Sequence, residues 1–304
     1  MRRGSGNSKY KFKKKVPGKR RFTAQEETTL LPFLFGSFKD QSKTSVKDFL
    51  VKGQVSVNNE PTTRFDYPLK PNDVVEITFG KGRIVFSHPM LKIVWEDEYL
   101  IVIDKKPGLL SVANEKIKEK TAYHLISHYL KKSDPRNKVF VLHRLDRDTS
   151  GLMMFAKNRG IQADMQSTWN ETITNRCYVA VVEGRPEKDS DLLTSFLKEN
   201  AEMKVYVTAS GGSEAITRYN LIRTNMKYSL LELNLETGRK NQIRAQMESI
   251  GNPIAGDVKY GAESNPAGRL MLHARKLHFI HPVTKFEMKF ETPVPSVFNA
   301  VTKK

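Results

Sequence analysis

Residues 143–158, HRLDRDTSGLMMFAKN, place four ionisable side chains directly before a run of apolar ones. Arg144, Asp146, Arg147 and Asp148 crowd the approach to Gly151, and Leu152 to Ala156 reads as a strand too apolar to face water. A carboxylate held at the mouth of such a strand can serve as a nucleophile or a general base, provided it stays ionised. In a closed pocket that ionisation costs on the order of several kcal/mol unless a cation pairs with it. Asp146 is the candidate carboxylate. Asp148 and Thr149 read as the cap of a turn into Gly151. Taken by itself, Asp146 divides evenly between that bland role and chemistry.

The candidate cation is Arg244. In TGRKNQIRAQMESIG the spacing of Ile243, Met247 and Ile250 predicts a helix with one apolar face. Arg244 lies one residue round from Ile243, so both can point toward one cleft, where Arg244 can offer Asp146 a charge-assisted pair of one or two hydrogen bonds. Alone, Arg244 reads as an ordinary solvated helix arginine, and Tyr178 in RCYVAVVEG as a core tyrosine on a strand. His124 and His128 stand four apart, but no acid follows the first, so the zinc-protease pattern is missing and no metal site is expected. Neither GKGR nor Gly211-Gly212 forms a phosphate loop, and no cofactor is implied.

Charge points to the partner. The formal net charge is +18, and residues 1–22 hold ten of the 51 Lys and Arg but none of the 33 Asp and Glu. Such an arm repels itself and is expected to be disordered until it meets a polyanion. The rest of the chain keeps a smaller cationic excess, which favours salt-dependent binding to nucleic acid. The single cysteine, Cys177, excludes intrachain disulfides and suits a reducing cytoplasm. No signal-peptide pattern and no apolar run of about 20 residues is present, so neither secretion nor a membrane partner is expected.

Stepping along the chain, residues 23–82 read as a small α+β domain. LLPFLFGSF starts a short helix with Pro32 near its first turn, and SKTSVKDFLVKGQ a second, capped by Ser42 or Ser45. QVSVNNEPTT alternates around Asn58-Asn59, a hairpin turn. With Lys43, Lys47 and Lys52 on or beside the second helix, this order resembles the small RNA-binding domain first seen in ribosomal protein S-four. Residues 83–90 read as a linker. Residues 91–304 are strand-rich, with hairpins at Asp97-Glu98 and Gly211-Gly212, so an α+β fold with a mixed, largely antiparallel central sheet and flanking helices is expected.

HRLDRDTSGL is similar, almost letter for letter, to the active-site motif of the RluA-type RNA pseudouridine synthases. In order along the chain, DKKPGLL, RCYVAVVEG, EAITRYNLI, TGRKNQIRAQMESIGNPIAGDVKYG and LMLHARKLHFIHP resemble further motifs of that family, over about 200 residues. The resemblance implies the pseudouridine synthase fold, with Asp146 catalytic, Arg244 its basic partner and Tyr178 the active-site tyrosine. It implies that Ile243 packs on the uracil and that Arg144 fills the gap left by the flipped nucleotide. Lys240 and Asn241 stand where the family usually has Thr-His, a departure that bears on substrate choice or local RNA contacts more than on the chemistry. The implied activity is isomerisation of uridine in RNA, large-subunit ribosomal RNA first and transfer RNA second, by a cytoplasmic monomer. A non-catalytic RNA-binding assembly protein of the same fold is the rival. A glycosidase would need a second flanking acid, and Asp148 is too near to supply it.

Overall fold

The computed structural model describes residues 18–51, 53–79, 86–113 and 119–303. Lys52 and residues 1–17 of the basic arm lie outside them. The chain divides into two units, Met1–Val85 and Phe86–Lys304.

The first unit runs β1 (Lys19–Thr23), β2 (Thr28–Thr29), α1 (Leu30–Ser37), α2 (Lys43–Val51), β3 (Val55–Val57), β4 (Glu60–Pro61), β5 (Pro68–Leu69) and β6 (Val74–Thr78). Pro32 is the third residue of α1, where its missing N–H has no helical partner to lose. Ser42 Oγ accepts from Ser45 N at 3.1 Å and starts α2. Asn58 and Asn59 carry φ of 49° and 69°, the doubly left-handed turn that suits a two-residue hairpin between β3 and β4. Leu30, Leu34, Val46 and Leu50 from the helices meet Val55, Val75 and Ile77 from the sheet in one core.

The described end of the arm is ordered, where composition led one to expect disorder until a polyanion binds. It forms β1, antiparallel to β6. Lys19 and Arg21 clamp the Glu76 carboxylate at 2.7 and 2.6 Å and hold its pKa below the usual range, while Arg20 lies over the rings of Phe38 and Phe79. A partner carboxylate and two rings give these cations a local use that charge counting could not reveal.

The second unit contains β7 (Leu91–Glu96), β8 (Leu100–Lys105), α3 (Ala122–Ser133), β9 (Phe140–Val141), β10 (Ser150–Ala156), α4 (Arg159–Ser167), α5 (Trp169–Thr172) and β11 (Ile173–Glu183). It continues through β12 (Ser190–Glu199), β13 (Val205–Thr208), β14 (Ser213–Thr224), β15 (Tyr228–Leu235), α6 (Gln242–Ser249), β16 (Leu272–Ile280), β17 (Glu287–Glu291) and α7 (Ser296–Val301). One eleven-stranded sheet follows the path β13-β12-β14-β15-β11-β16-β10-β8-β7, with β17 beside β16 and β9 beside β10. Its described strand pairs are antiparallel except β10 with β16. The sheet is thus mixed and largely antiparallel.

Every residue of β10 is buried, because both faces of the strand are covered. Met153 and Phe155 join a core with Ile126 and Leu130 of α3; Leu152, Met154 and Ala156 join another with Met165 of α4 and Phe279 of β16. That explains a continuous apolar run in place of alternation. Two expectations fail here. Gly211-Gly212 does not join paired strands: β13 and β14 lie on opposite sides of β12, and the glycines carry the chain past Leu197 and Lys198 of that strand. Helix α6 stops at Ser249, so Ile250 is exposed while Ile243 and Met247 are buried.

Candidate active site

Asp146 sits in the loop that enters β10, and that loop is pinned through its backbone. Ser111 Oγ donates to Leu145 O at 2.6 Å and accepts from Leu145 N at 3.1 Å. The Gly108 N–H and the Lys105 ammonium both donate to Arg147 O, at 2.9 and 3.0 Å. Lys105 also donates to Leu109 O and Lys106 O, and is fully buried. Burial pushes its pKa down to about 8, against the pull of Asp148 and Asp146. Downstream, Gly151 (φ +113°) lies so close to β16 that an added Cβ would meet Ala274 O at 2.2 Å, so only glycine lets the strand dock there. Ser150 is fixed by His273 Nδ1 and Arg269 Nη2, both at 2.8 Å.

Across the cleft, Arg244 projects from α6. Its Nε and Nη2 donate to the two oxygens of Asp257 at 2.7 and 2.8 Å, and Nη1 donates to Asp146 Oδ2 at 3.1 Å. The bidentate pair is thus made with Asp257, along the Nε–Nη2 edge of the guanidinium, and Asp146 takes a single bond. Side-chain exposure falls from 35% at Asp146 through 14% at Arg244 to 2% at Asp257. Burial alone would lower the pKa of Arg244, but the Asp257 and Asp146 carboxylates raise it above its ordinary value.

Asn241, with φ of 51° at the start of α6, turns its amide nitrogen to the same carboxylate, 2.8 Å from Oδ2 and 3.1 Å from Oδ1. The opposite orientation would set the amide oxygen against a carboxylate. Its oxygen accepts from the Tyr260 hydroxyl at 3.0 Å, and that hydroxyl accepts from Val205 N. The Arg244 guanidinium lies over the Tyr260 ring at 4.6 Å.

Tyr178 reaches the same place from β11. A bulge against β16, between the pairs Cys177–Lys276 and Tyr178–Ala274, re-aims it. Burial pushes its phenol up to about 12, so it stays protonated. Asp146, Tyr178, Ile243, Arg244 and Arg144 line a hollow of about 70 Å³ that adjoins a cleft of about 1130 Å³. Ile243 is 4% exposed and Arg144 is exposed. Lys43 and Lys47 are exposed on α2 of the first unit.

A family model described as "RNA pseudouridylate synthase" matches residues 99–249. The uncharacterized RNA pseudouridine synthase YjbO of Bacillus subtilis is 32% identical over 257 residues, spanning 83% of this chain and 90% of its own. The chain belongs to the RluA-type RNA pseudouridine synthase family. Ribosomal large subunit pseudouridine synthase D of Neisseria meningitidis serogroup B is 30% identical over 275 residues, covering 84% of this synthase and 73% of the relative. The solved structure of human RNA pseudouridylate synthase domain containing 4 shares the fold, with a TM-score of 0.55, 20% identity, and coverage of 68% of this chain and 90% of that one. The synthase is thus an isomerase of uridine in RNA.

The structure brings together the five residues of the second unit singled out from sequence, and adds Asp257, Asn241, Tyr260 and Lys105. Asp257 and Tyr260 stand inside GNPIAGDVKYG and Lys105 inside DKKPGLL, so motif membership was their only signal. Asn241, which the resemblance marked as a departure from the family's usual residue, touches the Asp146 carboxylate.

Proposed function

We propose that this synthase acts on uridines of large-subunit ribosomal RNA and that Asp146 supplies the reacting carboxylate. The C1′–N1 bond of the target uridine breaks, the uracil turns, C1′ bonds to C5, and the proton lost from C5 is balanced by one gained at N1. Asp146 acts at the sugar or base as nucleophile or general base, with Arg244 Nη1 and the Asn241 amide holding its oxygens in place. Turning the uridine out of its stack costs a few kcal/mol, which Tyr178 and Ile243 offset by contact with the base while Arg144 fills the gap.

The observation that carries the reading is the 3.1 Å bond from Arg244 to Asp146, with the rest of the guanidinium locked on buried Asp257. Ribosomal RNA is favoured by the named activity of the Neisseria relative. The first unit, with Lys43 and Lys47 exposed on α2, adds RNA affinity as an S-four-like domain. The test is a map of pseudouridines in ribosomal and transfer RNA with and without the gene. Pseudouridines should vanish from large-subunit RNA, return with the intact gene, and stay absent with Asp146→Asn, which still binds RNA. Loss from transfer RNA alone would overturn the substrate, and restoration by Asp146→Asn the catalytic role.

A further inference from the structure

One half-buried cation of the cleft has no acidic partner among the described residues. Arg176, on β11, lines the same cleft as Asp146 and Tyr178. Its one hydrogen bond among the described residues is a long one, from Nη2 to Glu236 O at 3.3 Å. Its guanidinium lies over the Trp169 ring at 5.9 Å. The acids that line the cleft are Asp146, Asp148 and Glu236, and each is already engaged: Asp146 with Arg244 at 3.1 Å, Asp148 with Arg147 at 3.2 Å, Glu236 with Arg218 at 3.7 Å. Burial lowers the Arg176 pKa, so its environment disfavours the charge it carries. A partly buried guanidinium with most donors unused is costly unless a counter-charge arrives with the ligand.

The space around it is also set aside. A Cβ on Gly238 would come within 2.4 Å of Arg176 Nη1. The turn between β15 and α6 therefore passes the guanidinium with glycine at the point of closest approach. The nearest atom is the tip of a side chain, so an added methyl would displace the guanidinium while leaving the backbone in place.

We propose that Arg176 is a phosphate-binding residue that pairs with a phosphodiester of the RNA strand beside the target uridine. This rests on the reading that RNA occupies the Asp146 cleft. Trp169 and the Glu236 carbonyl aim the fork, and the phosphate oxygens take the donors that no side chain satisfies.

The test uses the full chain, a uridine-containing RNA oligonucleotide of about 20 nucleotides for binding, and large-subunit RNA lacking the modification for turnover. Arg176→Gln should raise KM about tenfold, leave kcat within about twofold, and flatten the slope of log affinity against log salt by about 0.7 to 0.9, one phosphate's worth. Arg176→Lys should restore at least half of that slope. Gly238→Ala keeps the charge, displaces the fork, and should reproduce the rise in KM, which separates misplacement from misfolding. An unchanged KM and salt slope in Arg176→Gln would overturn the proposal. So would a fall in kcat with KM unchanged, which would make Arg176 a support for Tyr178. Asp146→Asn run alongside keeps the two claims apart: if it still forms pseudouridine the catalytic reading fails, while the salt slopes continue to judge Arg176.

Discussion

On one wall of the cleft, Asp146 rides a contiguous loop whose backbone is tied down by Ser111, Gly108 and the buried ammonium of Lys105. On the other, Arg244, Asn241, Asp257 and Tyr260 are joined to one another by side chains: a fork on a carboxylate, an amide on a hydroxyl, a guanidinium on a ring. The first wall fixes where the Asp146 carboxylate stands. The second fixes how its oxygens are held. A wall made of backbone contacts tolerates side-chain changes at its surface, whereas one made of side chains depends on the buried group that holds its cation. Here that group is the Asp257 carboxylate.

The harshest way to break the contrast is therefore Asp257→Asn. It removes a carboxylate that is 2% exposed and leaves the Arg244 charge without its main partner. Breaking a buried pair from one side costs about 3–5 kcal/mol. Unfolding in denaturant should show a loss of that order, and the freed fork should turn toward Asp146 and slow pseudouridine formation. Stability equal to the intact protein's would mean that the second wall is not held by side chains.

Acid tests the first wall. His273 sits between Ser150 Oγ and Thr292 Oγ1, and burial, helped by Arg269, pushes its pKa down to about 4 from 6.5. Between those values the unfolded chain binds the extra proton and the folded chain resists it, so stability falls as pH drops from 6.5 toward 4. The slope for this group is at most about 1.4 kcal/mol per pH unit, and above pH 6.5 the group contributes none. Melting followed across that range should steepen for the intact chain and flatten for His273→Gln. Equal slopes would remove the histidine from the anchor of β10.

Legibility followed the same division. The loop itself was legible because its parts are neighbours: one peptide supplies Arg144, Asp146, Gly151 and the apolar strand, and burial on both faces leaves a run without alternation, whereas its anchors Ser111 and Lys105 lie far off in the chain and the family motif was needed to single out Asp146. The Asn58-Asn59 turn was legible for a similar reason, since its left-handed backbone restricts residue type locally. The parallel pairing of β10 with β16 links positions far apart in the chain and leaves no spacing to count. Asp257 was invisible as the fork's partner because the sequence gives no direction to a guanidinium. Arg244 had two acids to choose from, and the fold decided between them. Asn241 drew notice only as a departure from the family's usual residue, yet its amide faces the carboxylate that the family match had made central.

Asn241→Gly gives a sharper comparison of smaller size. Glycine accepts φ of 51° without strain, so the substitution removes the amide and spares the backbone. One hydrogen bond to a charged acceptor is worth about 1.5 kcal/mol or somewhat more, which corresponds to about tenfold in turnover. Turnover should fall by that factor with little change in melting. Unaltered turnover would return Asn241 to a role in RNA contact alone.

The finest cut is Tyr260→Phe. It keeps the ring beneath Arg244 at 4.6 Å and removes only the hydroxyl that donates to the Asn241 oxygen and accepts from Val205 N. The stability cost should be about 1 kcal/mol, mostly from the buried Val205 N–H left without an acceptor. The effect on turnover decides what orients the Asn241 amide. If the left-handed backbone and the pull of the Asp146 carboxylate suffice, turnover falls by no more than about threefold, less than in Asn241→Gly. A fall as large as that of Asn241→Gly would instead make the hydroxyl the element that aims the amide.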